Sequence, residues 1–508
     1  MSVTVPASDE ATPAAEPRPL IEATMAPPAD NHAARSAKLG LGALGIYGSG
    51  ALVENVTTLA VGQLLLFYLT IICGLSGSLA GAVLGLTLVV DAMIDPVVGS
   101  ISDNSRSRHG RRHPFMLAAI VPIVLAFGFL FSVPHGLKGL PLFGYGLALL
   151  LALRVAISFY YVPYMALGAE LTDDYAERSS VVSARVFFTV IGGVSAAILM
   201  WGVFLAGPNG RLQGAHYSPL AWSLAVIVIV GAVLSTFGTL RTRGRLHAAP
   251  KEGSFSAGQF VSELLEVLRN RSFISLFMPC LILFTALGVA GSLGLHANTF
   301  FWKLSSGQIL LLVLVAPLGV FGGLFAASVL ARRWEKRSIA MLGLGLIGVA
   351  QLAPVTLRLT GVIPVSAGFP TLALATILGG LGGSIATIAF QSMMADATDE
   401  HEHLFGARRE GLYFAGITFS AKASSGLGAW IGGIALDVIG FPHGVTNPAL
   451  LAKIPVETIR NLGIAYGPGA SLFTAVSVAV LLTYKLTKTK HAGIQADLTS
   501  RRAAKAVD

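Results

Sequence analysis

The chain has 508 residues, of which 54% are hydrophobic and only 12% charged. Soluble domains carry about 25% charged residues, so 35 basic and 26 acidic side chains are too few to coat a water-soluble body of this length. The composition excludes a soluble enzyme, a nucleic-acid-binding module and a disordered chain, and it turns the net charge of +9 into a question about loops beside a membrane.

Residues 1–37 are rich in Ala, Pro and acidic residues and hold no apolar run, which predicts a disordered tail without a signal peptide. A spanning helix needs about 20 mostly apolar residues. Twelve such runs follow, at 43–73, 79–101, 115–134, 142–168, 181–206, 220–240, 273–300, 308–331, 338–357, 370–395, 411–438 and 467–484. The charged stretch 241–272 divides them into two sets of six: an N-terminal bundle over 38–240 and a C-terminal bundle over 273–484. Residues 485–508 form a second tail. A membrane β-barrel would alternate apolar and polar positions over about ten residues, whereas 310–330 reads LLLVLVAPLGVFGGLFAASVL. The fold class is an all-α membrane protein with 12 transmembrane helices.

With an even number of spans, both ends lie on one side. That side takes the tails and the loops near 102–114, 169–180, 241–272, 332–337 and 396–410, which hold most of the Lys and Arg residues. The opposite loops hold only Lys138, Arg211, Lys303, Arg358, Lys453 and Arg460. Cytoplasmic loops carry the basic excess, so both termini are predicted to be cytoplasmic, in the plasma membrane (the inner membrane of a bacterium). The basic balance reports orientation and implies no nucleic acid.

The two halves echo each other. AELTDD (169–174) ends the fourth run and ADATDE (395–400) ends the tenth, each followed by arginine. A weaker echo sets GSISDNSRSRHGRR after the second run against ARRWEKR after the eighth. Parallel six-helix repeats with a site near the bilayer midplane mark one large transporter class.

Charges inside the runs are costly, about 2.5–3.5 kcal/mol each at the bilayer centre on the lenient scale. Glu54, Asp91, Asp95, Arg154, Arg185, His296 and Lys422 are such residues. Asp91 and Asp95 stand one helical turn apart on one face, so both cannot stay ionised cheaply; a shared proton or a bound cation such as Na⁺ removes the penalty. Lys422, among small residues that let helices pack closely, can neutralise that pair or meet a substrate. For Arg154 a structural pairing with Glu54 is expected. No phosphate-binding G-x-x-x-x-G-K-[ST], no G-x-S-x-G and no H-E-x-x-H occurs, and Cys73 and Cys280 lie in apolar runs. No cofactor and no metal other than a possible Na⁺ is expected.

Three blocks, DAMIDPVVGSISDNSRSRHGRRHPF (91–115), VPYMALGAELTDDYAERSSVVSARVFF (162–188) and FQSMMADATDEHEHLFGARREGLYFAGITFSAKASSGLG (390–428), resemble the glycoside–pentoside–hexuronide:cation symporter family, the melibiose-permease-like branch of the major facilitator superfamily. YGSGALVENVTTLAVGQLLLFYLT (47–70) fits its first span less closely. The resemblance runs from about residue 40 through nearly the whole chain. It implies two six-helix bundles rocking about a central site, with sugar uptake coupled to Na⁺, Li⁺ or H⁺. It assigns cation coupling to Asp91, Asp95 and Ser158, and substrate binding to Arg185 and Lys422, joined here by Tyr161, Tyr164 and Glu54. It assigns a cytoplasmic gate to Asp103, Arg108, Arg111, Arg112, Glu170, Asp174, Arg178 and Asp396.

Departures from the family pattern shift the expectation. Ile94 stands where melibiose permease has a sodium-binding asparagine, which favours H⁺ over Na⁺. Ala51 and Tyr161 stand where two sugar-binding aspartates are expected, and Met165 replaces a tryptophan, so the pocket exchanges carboxylates for aromatic and apolar surface. The leading expectation is a proton-coupled symporter of a sugar or glycoside, working as a monomer among membrane lipids. The alternatives are a carrier of an amphiphilic or lysolipid-like substrate, and a non-transporting membrane receptor. An intramembrane enzyme is excluded by the lack of a nucleophile–base pattern.

Overall fold

In a computed structural model, the described residues are 39–105, 107, 110–172, 174–240, 266–406, 409–451 and 453–505. The expected N-terminal tail, most of the central loop and Arg108 lie outside the described residues. Those described are helical or irregular, with no strand among them.

In chain order the helices are α1 (Leu41–Gly48), α2 (Ala51–Phe67), α3 (Gly77–Asp103), α4 (His113–Leu130), α5 (Gly139–Glu170), α6 (Tyr175–Ala197) and α7 (Tyr217–Leu240). They continue as α8 (Arg271–His296), α9 (Ser306–Leu330), α10 (Lys336–Leu359), α11 (Gly368–Phe405), α12 (Glu410–Val438), α13 (Pro448–Leu451), α14 (Val456–Ile464), α15 (Ala470–Leu481) and α16 (Lys488–Lys505). Helices α2, α6 and α8 each run on through a π-helical turn, at Tyr68–Ile72, Ile198–Phe204 and Ala297–Phe301.

Local chemistry fixes several starts. Asn270 Oδ1 accepts from the Ser272 and Phe273 N–H groups to begin α8, Asp174 caps α6, and Ser305 with Gln308 forms a capping box at α9. Pro114 stands in the first turn of α4, where its missing N–H is harmless.

Among the described residues, eleven segments are long and apolar enough to cross a membrane. The eleventh expected run coincides with α12, 29 residues long, which lies beside α3 and α8 like the other spans but falls outside those eleven. Its Gly, Ala and Ser residues and Lys422 lower its hydropathy for a reason the packing makes plain. Helices α3 and α12 form the most extensive contact in the molecule. A Cβ on Gly433 would meet the Gly77 carbonyl at 2.1 Å, and one on Gly85 would meet the Gly426 carbonyl at 3.0 Å. Side chains were given up for backbone approach.

Within the first half, α4 and α3 pack on α5, and α7 packs on α4 and α2. Within the second, α11 packs on α9 and α10, and α8 packs on α12 and α15. Across the halves run the α3–α12 contact, a contact of α2 with α8, and one of Ile198–Phe204 with α9. Residues 39, 240, 271 and 481 end their spans on one side, the terminal face; the other side is the far face.

The expected C-terminal tail is instead largely the helix α16, docked against the terminal end of α11. Its Ile494 and Leu498 are buried in the second apolar core. The tenth apolar run, expected to end at 395, continues as helix to Phe405. Its acidic residues there have partners: Lys490 on Glu400 (2.7 Å), His491 on Asp399 (3.0 Å) and Arg502 on Glu402 (2.8 Å).

Candidate functional site

Helix α3 carries Asp91 and Asp95 and lies between α5 of its own half and α12 of the other. The close α3–α12 seam sets Lys422, one turn from Gly426, against both carboxylates. Lys422 Nζ lies 3.0 Å from Asp91 Oδ2 and 2.5 Å from Asp95 Oδ2. From α5, Ser158 Oγ lies 3.0 Å from Asp91 Oδ1 and 2.7 Å from Asp95 Oδ1. Asp91 and Ser158 are buried, whereas the Asp95 and Lys422 side chains keep 25% and 30% of their exposure. The cluster thus has a closed back and an accessible front.

Lys422, expected either to neutralise the acidic pair or to meet a substrate, stands on the acidic pair. An ammonium that donates to two carboxylates has little left for a ligand. Glu54 forms no ion pair among the described residues, and neither does Arg154, whose Nε is buried without a hydrogen-bond partner. The expected Glu54–Arg154 bridge is therefore not made. Both stay within the electrostatic reach of Asp91 and Asp95.

Arg185 on α6 donates from Nη1 to Met165 Sδ at 2.6 Å and is half-buried without a carboxylate partner among the described residues. Tyr161 is likewise half-buried. Tyr164 is fully buried, stacked on Tyr47 with ring centroids 4.7 Å apart. It backs Tyr161 (5.8 Å) instead of facing open space, because its ring fills the gap that Gly50 leaves beside it.

The residues expected to form a gate divide into three groups. Glu170 Oε1 accepts from Arg111 Nη2 (2.6 Å) and from Arg112 Nε (3.1 Å) and Nη2 (3.0 Å), while Arg112 also pairs with Asp103 and donates to Ser102. Asp174 and Arg178 are not part of that cluster. Asp174 accepts the Glu177 N–H as the cap of α6, and Arg178 reaches the Thr172 carbonyl. Asp396 pairs with Lys336 at 2.7 Å and faces His491 at 3.6 Å. Glu170 and Asp396 thus occupy matching places in the two halves, each held by a base that follows the second span of its half.

Sequence reasoning missed Asp437, at the end of α12. Its two carboxylate oxygens accept the N–H groups of Gly77 and Ser78, each at 2.7 Å. The available signal was an acidic residue at the end of an otherwise apolar run, beside a loop containing His443.

The two halves of a bundle of membrane-crossing helices thus meet at a partly exposed acid–lysine cluster, an arrangement suited to a transporter. The chain belongs to the MFS/sugar transport protein family, whose model matches residues 46–488, in agreement with the resemblance read from the three blocks. An uncharacterized symporter of Synechocystis sp. is 25% identical, over 90% of this chain and 96% of the relative. The isoprimeverose transporter of Lactiplantibacillus pentosus is 23% identical, over 95% and 93%. The crystal structure of a D-xylose–proton symporter superposes with a TM-score of 0.56 at 15% identity, covering 87% of this chain and 96% of that one. The protein is therefore a multi-pass membrane transporter of the major facilitator superfamily with a small-molecule substrate.

Proposed function

We propose that the protein is a secondary active symporter that moves a sugar or glycoside with a proton by alternating access. The carrying observation is the double contact of Ser158. One hydroxyl holds one hydrogen, yet its oxygen lies within hydrogen-bond distance of a carboxylate oxygen on both aspartates. With both acids ionised, one of these contacts has no proton in it. A proton on either carboxyl completes both contacts, the acid donating to Ser158 Oγ and Ser158 donating to the other acid. The same proton brings two carboxylates and one ammonium to neutrality, which a low-dielectric site favours.

Proton release and capture then follow the exposure of Asp95 and Lys422. A cluster that loses its proton carries one net negative charge, at a cost that discourages the empty cycle and couples proton movement to substrate movement. Sodium has weaker support, because Ile94 between the aspartates offers no oxygen ligand. Arg185 and Tyr161 provide a donor and an aromatic wall to a polyhydroxyl substrate, and the relative named for isoprimeverose transport supports a sugar.

The moving units are residues 38–240 and 273–484, both termini face the cytoplasm of an inner-membrane protein, and one chain holds the complete site. Thermal-shift screening of mono- and disaccharides, glycosides, uronic acids and lysolipids, with and without sodium, tests the substrate. Proteoliposomes under an imposed pH or sodium gradient test the ion. Accumulation driven by sodium alone would overturn the proton reading, and stabilisation by lysolipids alone would overturn the sugar reading.

A further inference from the structure

The far face is closed across the two halves by a small number of polar contacts. Arg211, buried in the loop between α6 and α7, donates to Thr299 Oγ1 (3.0 Å) and to the Leu304 carbonyl (2.6 Å). Ser306 Oγ donates to the Leu205 carbonyl (2.6 Å), and the Gly444 N–H donates to the Thr70 carbonyl (2.9 Å). The contact with the most specific chemistry is that of Asp437 with the first turn of α3.

Asp437 sits in the last turn of α12, where a negative charge is unfavourable to its own helix dipole. It is stabilised by the start of another helix, since the orphan N–H groups of a first turn attract a carboxylate. Helix α3 has a cap residue of its own. Ser76 occupies the N-cap position with extended backbone (φ −59°, ψ 149°) and makes no side-chain cap bond. Serine there ordinarily accepts from the second or third helical N–H, here Ser78 or Leu79. The cap is supplied instead by Asp437 from the other half, with His443 Nε2 3.0 Å from the same carboxylate.

We infer that the cap of α3 alternates: Asp437 holds it while the far face is sealed, and Ser76 takes it when the halves part there. The exchange lowers the cost of opening, because the Ser78 N–H is not left bare. Asp437 and Ser76 thereby act as positioning residues that set the balance between the sealed and opened states. This holds whichever substrate and ion are carried.

The test is a spin-label distance measurement between His135→Cys and Val362→Cys, both on exposed far-face loops of opposite halves, in full-length protein lacking Cys73 and Cys280. A cap contributes enough to shift a two-state ratio about fivefold. Asp437→Ala, which removes the cap, is expected to raise the opened-to-sealed ratio about fivefold. Adding Ser76→Ala to Asp437→Ala is expected to return it to about the wild-type ratio, since both states then lack their cap. Ser76→Asp alone is expected to raise the ratio, and it covers the case in which the alanine variant fails to fold. An unchanged ratio in Asp437→Ala, or a double variant that opens as far as Asp437→Ala alone, overturns the inference.

Discussion

Lys422 of α12 and Asp95 of α3 meet across the two halves of the molecule, Nζ to Oδ2 at 2.5 Å, with Asp91 on the same ammonium at 3.0 Å. The charge balance of the proposed coupling cluster therefore depends on the two halves staying together at this level of the membrane. Removing the lysine leaves two carboxylates one turn apart with no counter-charge. Breaking a fully buried pair costs about 3–5 kcal/mol, and the partial exposure here reduces that to about 2 kcal/mol. Lys422→Gln should lower gradient-driven uptake at least about tenfold while the protein still inserts in the membrane. Radiolabelled uptake beside a quantitative immunoblot of the membrane fraction checks both; normal uptake would remove Lys422 from the coupling cluster.

The aspartates are not equivalent. Asp91 is buried and Asp95 keeps a quarter of its exposure, so on the proposed function Asp95 is the acid that solvent reaches. Asp91→Asn and Asp95→Asn should both abolish accumulation against a gradient. Asp95→Asn should keep energy-independent exchange, because a neutral amide mimics the protonated acid. Efflux and counterflow in proteoliposomes separate the two activities, and unchanged accumulation in both variants would sink the coupling assignment.

Ser158 makes one hydrogen bond when both acids are ionised and two when one of them carries a proton, so its hydroxyl favours the protonated cluster. Such a bond contributes about 1.5–3 kcal/mol. Ser158→Ala should therefore make the proton easier to release, moving the pH of half-maximal uptake downward by about one unit. Ser158→Thr, which keeps the hydroxyl, should restore the original profile. An upward shift in the alanine variant would contradict the stated geometry.

Much of this centre was legible in the sequence because charge stands out in an apolar run. Asp91, Asp95 and Lys422 announce themselves by the cost of placing them there, and the i,i+4 spacing sets the two acids on one face. Ser158 has no such signature; a serine in a span is unremarkable, and only the resemblance singled it out. Asp437 stayed hidden because its partners are backbone N–H groups, which no side-chain pattern reports. Helix α16 stayed hidden for a different reason. Its apolar face amounts to little more than Ile494 and Leu498, too few to show as a periodic pattern, and its bridges reach an acidic patch almost a hundred residues earlier. Tyr164 illustrates the converse, since a tyrosine beside a site looks like lining until packing places it behind Tyr161.

Glu170 is the shared anchor of Arg111 and Arg112 at the terminal face, with its side chain only 9% exposed. Glu170→Gln keeps the shape but leaves two guanidinium groups short of an anion. Arg112 retains Asp103, so the loss should be about 3 kcal/mol, the lower end for a broken buried pair. A clear fall in the midpoint of thermal unfolding, followed by intrinsic fluorescence in detergent, is expected. Asp174→Asn should leave the midpoint nearly unchanged, since asparagine caps a helix as well as aspartate. Equal falls in the two variants would mean that Asp174 belongs to the same cluster after all.

Helix α16 is held by two buried side chains and a set of bridges whose exposed members contribute little. Its attachment therefore rests mainly on Ile494 and Leu498, each contributing about 1.5–3 kcal/mol by burial. Ile494→Asp should undock the helix and leave the spans intact. Lys488 and Lys490 then become open to trypsin, and limited proteolysis should remove the last residues several times faster than in the wild type, with the midpoint of global unfolding nearly constant. Lys490→Gln, which removes one half-exposed bridge to Glu400, should change the cleavage rate far less. If the charge variant undocked the helix as fully as the apolar one, the acidic patch of α11 rather than the apolar contact would be its principal anchor.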